Sequence, residues 1–146
     1  MIRYVVDASV AVKWFFQMAE DEGDLEPAIA LLRANQNGEA LFFQPPHFMA
    51  EVAAVLARKK TLDEARADMS DLLDLDLQRV ESTGVYMTAC DLAIRLNHHV
   101  FDTLYHAVAL HTSEATLVTA DWRYFDKARS IGQIVRLGQI VPLRPE

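Results

Sequence analysis

Cysteine is nearly missing from this 146-residue sequence: Cys90 stands alone. One thiol makes no internal disulfide and no multi-cysteine zinc site. On an apolar helical segment it is expected as a core thiol. Glycine and proline number five each, too few for a linker or a collagen-like chain. No apolar run approaches the roughly 18 residues of a membrane span. The opening stretch MIRYVVDASVAVKW lacks a signal-peptide layout, because Asp7 and Lys13 interrupt its apolar residues. A cytoplasmic protein with no membrane partner is expected. Positive charge is also scarce, with 14 Lys and Arg against 21 Asp and Glu, a net charge of −7.

That deficit is local. Residues 18–39 and residues 61–81 each carry a net −5, and the rest of the chain carries +3. Acidic blocks of this kind read as solvated helix faces and loops, so a nucleic-acid surface elsewhere stays open. Apolar residues at 51% and charged residues at 24% are ordinary globular proportions and exclude disorder. The length suits one domain over residues 1–146.

Strands and helices alternate along the chain. Residues 2–6 (IRYVV) form a short buried β-branched strand, and Ser9 is expected to cap a helix over 10–16. A loop over 17–24 follows. Pro27 suits the first turn of a helix reaching about 34, with Leu25, Ile29 and Leu32 on one face, and Asn35-Gln-Asn-Gly38 stops it. Residues 41–44 read as the second strand. A helix then runs from Pro45-Pro46 to residue 60. Thr61 and Glu64 have capping-box spacing for the next helix, to about 75. A weak third strand lies at 77–81 and helices at 84–97 and 103–113. A fourth strand lies at 116–119, a helix at 122–130 ended by Gly132, and a fifth strand at 134–137. This order predicts an α/β fold with a largely parallel five-stranded sheet and about seven helices.

Asp7 follows the first strand, Asp121 follows the fourth, and Asp102 opens a buried helix. Ligands in open α/β sheets bind outside the carboxyl ends of the strands. Each aspartate alone reads as a helix N-cap. Glu51, among Ala50, Val52 and Ala53, reads alone as a first-turn acid. The set asks for more, because VVDAS, FDTLYHAVAL and LVTAD each press a carboxylate against apolar sequence. Carboxylates gathered at one edge repel unless a hard divalent cation such as Mg²⁺ or Mn²⁺ neutralises them. His99 and His106 lie three and four residues from Asp102, the spacing of a His–Asp pair on a helix. They and His47 and His111 read instead as surface or partly buried side chains, and Asp126 as a surface acid.

Four segments in order, VVDASVAVKW, PPHFMAEVAAVL, FDTLYHAVAL and LVTADWRYFDKA, resemble the PIN-domain ribonucleases. Within that family they are similar to the VapC toxins of toxin–antitoxin pairs. The resemblance spans nearly the whole chain and implies a PIN-like α/β/α sandwich. It implies Asp7, Glu51, Asp102 and Asp121 as the catalytic acids holding Mg²⁺ or Mn²⁺, with Ser9 and Thr119 as supporting hydroxyls. It implies metal-assisted hydrolysis of RNA phosphodiester bonds, giving 5′-phosphate and 3′-hydroxyl products. The partners implied are an RNA substrate, a cognate VapB-like antitoxin and a second copy in a homodimer. One departure is Thr103, where the family usually has Ala.

Lys13, Arg58, Lys59, Lys60 and Arg123 are candidates to touch the RNA backbone, with Arg95 a further option. Trp14, Phe15 and Phe16 suit a core or partner-facing role better than base stacking. Met49, Met69 and Leu73 are expected on an exposed apolar interface. A receiver-like signalling module lacks support, since Val80-Glu81-Ser82 carries no Asp and no Lys follows the fifth strand. A haloacid-dehalogenase-type phosphatase needs Asp-x-Asp where this chain has Asp7-Ala8-Ser9. A catalytically inactive PIN scaffold is the other alternative.

Overall fold

A computed structural model describes residues 1–16 and 24–140. The loop expected over 17–24 lies, except for Asp24, outside the described residues. The strands are β1 (Ile2–Val6), β2 (Ala40–Gln44), β3 (Leu77–Arg79), β4 (Ala115–Thr119) and β5 (Ile134–Arg136). The helices are α1 (Ala8–Trp14), α2 (Leu25–Gln36), α3 (Phe48–Lys59), α4 (Leu62–Leu73), α5 (Thr83–Leu96), α6 (Val100–Leu110) and α7 (Trp122–Ala128). Short 3₁₀ turns follow α7 and β5.

All strand pairings are parallel, in the order β3-β2-β1-β4-β5. The expected largely parallel sheet is thus wholly parallel. Val5 and Val6 are both fully buried, as are Leu117 and Val118 nearly so. Neighbouring strand residues point to opposite faces, so both faces of the sheet centre are covered. The chain builds outward from β1 through β2 to β3, then returns to place β4 on the other side of β1. That reversal puts the ends of β1 and β4 at the switch point where α/β sheets bind ligands.

Several local expectations need correction. Ser9 does not cap α1: the helix starts at Ala8, with Asp7 in the N-cap position. Asp102 is inside the first turn of α6 rather than a cap. The core face of α2 is Ala28, Leu31 and Ala34, with Leu25, Ile29 and Leu32 only partly buried. Cys90 is exposed, because α5 turns Val85, Ala89 and Leu92 inward. Met49 and Met69 pack against the core, whereas Leu73 is exposed. Trp14 is a core residue, stacked on Phe42 at 5.9 Å, with its indole N–H donating to the Ala28 carbonyl (2.8 Å).

The capping box at α4 forms as its spacing predicts: Thr61 and Glu64 each accept the other's backbone N–H. Two buried amides hold the sheet where strand pairing stops. β1 pairs with β2 only from Ile2 to Tyr4. Beyond that, the Gln44 side chain takes over the role of a strand: its amide donates to Val6 O and its carbonyl accepts from Val6 N, both at 2.7 Å. Asn35 similarly joins the end of α2 to Ala40 and Asp76.

Candidate active site

Asp7 follows the Gln44-clamped end of β1, and its backbone N–H donates to Val118 O on β4 (3.0 Å). Its Oδ2 accepts from the Ser9 hydroxyl (2.9 Å) and the Thr119 hydroxyl (2.8 Å). Both hydroxyls are aimed from behind. Ala120 N–H donates to Ser9 Oγ (3.1 Å), and Asp121 N–H donates to Thr119 Oγ1 (3.0 Å). Each hydroxyl therefore accepts from the backbone leaving β4 and spends its proton on Asp7. The Asp7 carboxylate makes no cap bond to α1. Burial pushes its pKa up to about 6, the two hydroxyl bonds oppose that rise, and the charges of Asp102 and Glu51 add to it.

Asp121 is a true N-cap: its Oδ1 accepts from the backbone N–H of Arg123 (3.0 Å) and Tyr124 (3.3 Å). Glu51, on the first turn of α3, accepts the Tyr105 hydroxyl at 2.6 Å and lies 3.2 Å from His47 Nε2. His47 Nε2 also donates to the Phe101 carbonyl (2.7 Å), so Glu51 sits where α3 is laced to α6. Burial by itself would raise the Glu51 carboxyl. The bonds from His47 and Tyr105 and the His47 charge outweigh it, holding the carboxyl below its usual range. Burial, then the bond to Glu51, pushes the Tyr105 hydroxyl far up, so it stays a donor.

Asp102 receives His98 Nε2 on its Oδ2 at 2.7 Å. One ligand atom from each of His98, Asp102 and Asp121 lies within 4.8 Å of the others. The structure thus gathers these acids around one place: Asp7 feels Asp102 and Glu51, and Asp102 neighbours Asp121. His99 and His106 do not pair with Asp102. His99 is exposed. His106 is fully buried, bonded to the Tyr124 hydroxyl (2.8 Å) and the Gly132 carbonyl (2.7 Å). His98 was not legible as a site residue, because it lies in the link between α5 and α6 where no helical periodicity applies. The clamp by Gln44 and the support from Tyr105 were equally unsignalled.

The candidate RNA-binding cations are dispersed. Lys13 is in the last turn of α1. Arg58 and Lys59 are exposed in the last turn of α3, roughly 10–12 Å along the helix from Glu51. Lys60 pairs with Asp68 (2.6 Å) and lies over the Phe16 ring. Arg95 pairs with Asp91 (3.2 Å). Arg123 lines a cleft of about 360 Å³ with Asn97, His98, His99 and Lys127. Among the described residues no acid lines this cleft, although His98 connects it to Asp102.

An all-parallel α/β fold with an acidic cluster at its switch point defines the class. Residues 4–130 match the model of the PIN domain, and the chain belongs to that family. The structure is similar to that of VapBC2 from Rickettsia felis, solved bound to a DNA fragment from their promoter. That likeness has a TM-score of 0.66 at 15% identity, covering 92% of this chain and 97% of that one. It is also similar to VapC20 from Mycobacterium tuberculosis, a Sarcin-Ricin loop cleaving toxin (TM-score 0.63, 15% identity, 97% and 99% covered). FitAcB from Neisseria gonorrhoeae is a third such structure (TM-score 0.65, 12% identity, 94% and 99% covered). At these identities the likeness establishes the fold. No curated protein sequence matches significantly.

Proposed function

We propose that this PIN domain is a VapC-like toxin: a Mg²⁺- or Mn²⁺-dependent endoribonuclease neutralised by a cognate VapB-like antitoxin. Asp7, Glu51, Asp102 and Asp121 are the acids that hold the cation. Ser9 and Thr119 orient Asp7. The observation that carries this reading is the gathering of the carboxylates at the switch point: Asp7 feels the charges of Asp102 and Glu51, and ligand atoms of Asp102 and Asp121 lie within 4.8 Å of each other. Asp7 is pushed up to about 6, chiefly by burial and to a lesser degree by the charges of Asp102 and Glu51. Oxygen donors at this density suit a hard divalent cation. When bound, such a cation supplies a hydrolytic nucleophile near neutral pH and offsets charge developing on the phosphodiester.

The chain's own residues hold the acids in place for that chemistry. Ser9 and Thr119 keep Asp7 from turning, Tyr105 and His47 keep Glu51 ionised, and the backbone of α7 fixes Asp121. Arg123 and the cleft it lines are suited to a backbone phosphate, with Lys13, Arg58, Lys59 and Lys60 as more distant contacts. The exposed Tyr86, Met87 and Ile94 along α5 suit the face of a homodimer. No helix among the described residues is long and apolar enough to cross a membrane. The cytoplasmic location belongs to the proposed role, since a toxin of this kind acts on the cell's own RNA.

Purified, antitoxin-free protein incubated with total bacterial RNA and Mn²⁺ tests this reading. New 5′ ends are mapped by sequencing beside an Asp102→Asn variant and an EDTA control. Discrete metal-dependent cuts absent from the variant are expected. Cuts that persist in the variant, or no cuts at all, count for an inactive PIN scaffold.

A further inference from the structure

His98 stands close enough to Asp102 and Asp121 to join them as a ligand. The hydrogen bonds on its other nitrogen argue for a different role. Lys127 Nζ donates to the Asn97 carbonyl (2.8 Å) and lies 3.3 Å from His98 Nδ1. An ammonium has protons but no lone pair, so it can meet Nδ1 only as a donor. Nδ1 then carries no proton, and the neutral ring carries it on Nε2. The 2.7 Å contact with Asp102 Oδ2 is therefore Nε2–H donating to the carboxylate. A protonated nitrogen cannot ligate. Ligation would require the proton to move to Nδ1, against the lysine.

The ring is also held in position. Its side chain is 8% exposed and packs edge-on against Tyr124, with centroids 4.9 Å apart. Tyr124 is fixed by the same logic one step further back. The Gly132 carbonyl can only accept, so His106 donates from Nε2, and His106 Nδ1 accepts the Tyr124 hydroxyl. Burial holds the His106 ring in its neutral form, which this arrangement requires.

The geometry points to His98 as a positioning residue for Asp102, held by Lys127 as the Nε2–H tautomer, and not as a metal ligand. This rests on the metal-site reading above, with Asp102 a ligand to the cation. Outer partners of this kind typically change metal affinity by about 10–100-fold. His98 thus fixes which oxygen of Asp102 is left for the cation, and Lys127 acts at one remove.

Long-range ¹H–¹⁵N spectra of the imidazoles, assigned with a His98→Gln variant, read the tautomer directly. Metal-free wild-type protein is expected to show a pyrrole-type Nε2 and a pyridine-type Nδ1 at His98, unchanged on adding diamagnetic Mg²⁺. Lys127→Met is expected to mix the two tautomers and Lys127→Arg to restore one. Mn²⁺ affinity, followed by electron paramagnetic resonance, is expected to fall about 10–100-fold in His98→Ala. It is expected to recover in His98→Gln, whose amide can donate from the place of Nε2. A proton on Nδ1, in the metal-free or the Mg²⁺-loaded protein, would overturn the inference, as would an unchanged Mn²⁺ affinity in His98→Ala. Failure of wild-type protein to bind Mn²⁺ would overturn the metal-site reading instead, while the metal-free spectrum still decides the tautomer.

Discussion

In the proposed reading, the buried Asp7 carboxylate that would hold the cation also costs the fold stability. That carboxyl is raised to about 6 from an ordinary value near 3.8. A raised carboxyl means that the folded state keeps its proton where the unfolded state has lost it. Without metal, the group costs no stability below about pH 4, and the cost grows as pH rises through about 6, reaching about 3 kcal/mol. Asp7→Asn keeps acceptors for Ser9 and Thr119 and removes the charge. In EDTA at pH 7 it is expected to melt higher than wild type and to flatten the pH dependence between 4 and 6, as calorimetry would read; a lower melting temperature would contradict the assigned burial penalty. RNA cleavage is expected to be lost in the same variant. Glu51 runs the other way. Its depressed carboxyl contributes stability above the unfolded value near 4.5 that is lost as pH falls through the folded one. Tyr105→Phe removes one of the bonds responsible. After discounting for a side chain that is one-third exposed, the expected cost is about 1 kcal/mol at pH 7. That deficit should shrink in denaturant titrations below about pH 4.

Elements differ in how far short-range sequence decides them. The α4 cap was legible because its partners are three residues apart, Thr61 and Glu64. Thr103 was legible only as a departure from the family pattern. The fold supplies its reason: the fully buried hydroxyl donates to Ala89 O on α5 (2.8 Å) and reaches Val100 O (3.2 Å). It thereby ties α6, which carries Asp102, to α5. Thr103→Ala is expected to cost about 1–2 kcal/mol through the lost bond and a small void. Urea melts would show it, and an unchanged midpoint would mean that the two helices are held by apolar packing alone. The same substitution leaves all four acids in place, so cleavage is expected to persist at temperatures where the variant is folded.

At the scale of the molecule, the sheet order brings β1 and β4 side by side and their following residues to one edge. Repelling carboxylates at that edge make the fold a cation receptor in the proposed reading. A cation that binds the folded state stabilises it by RT ln(1 + [L]/Kd), about 2.7 kcal/mol at a hundredfold excess over Kd. Thermal melts in Mn²⁺ are expected to rise by several degrees over melts in EDTA, and the rise is expected to disappear in Asp102→Asn. A shift that survives in that variant would place the bound ion elsewhere. In that reading the cation would offset the penalty of burying the Asp7 charge, the main cause of its raised carboxyl.

The order of strands and helices, the parallel sheet and the approach of Asp7, Asp102 and Asp121 to one edge all follow from the sequence. Apolar periodicity, turn residues and caps act within a few positions, and a parallel α/β pattern leaves little choice about where strand ends meet. The tertiary structure decided the rest. Ser9 and Thr119 serve Asp7 because backbone N–H groups 111 and 2 residues away from them aim their hydroxyls. Gln44 completes β1 across 38 residues, and Cys90 faces outward because α5 turns its other face to α6. Among five histidines, His98 meets Asp102 because the link after α5 bends it there and Lys127 sets its proton. Such contacts depend on directions and distances between segments remote in the chain, which composition and spacing do not contain.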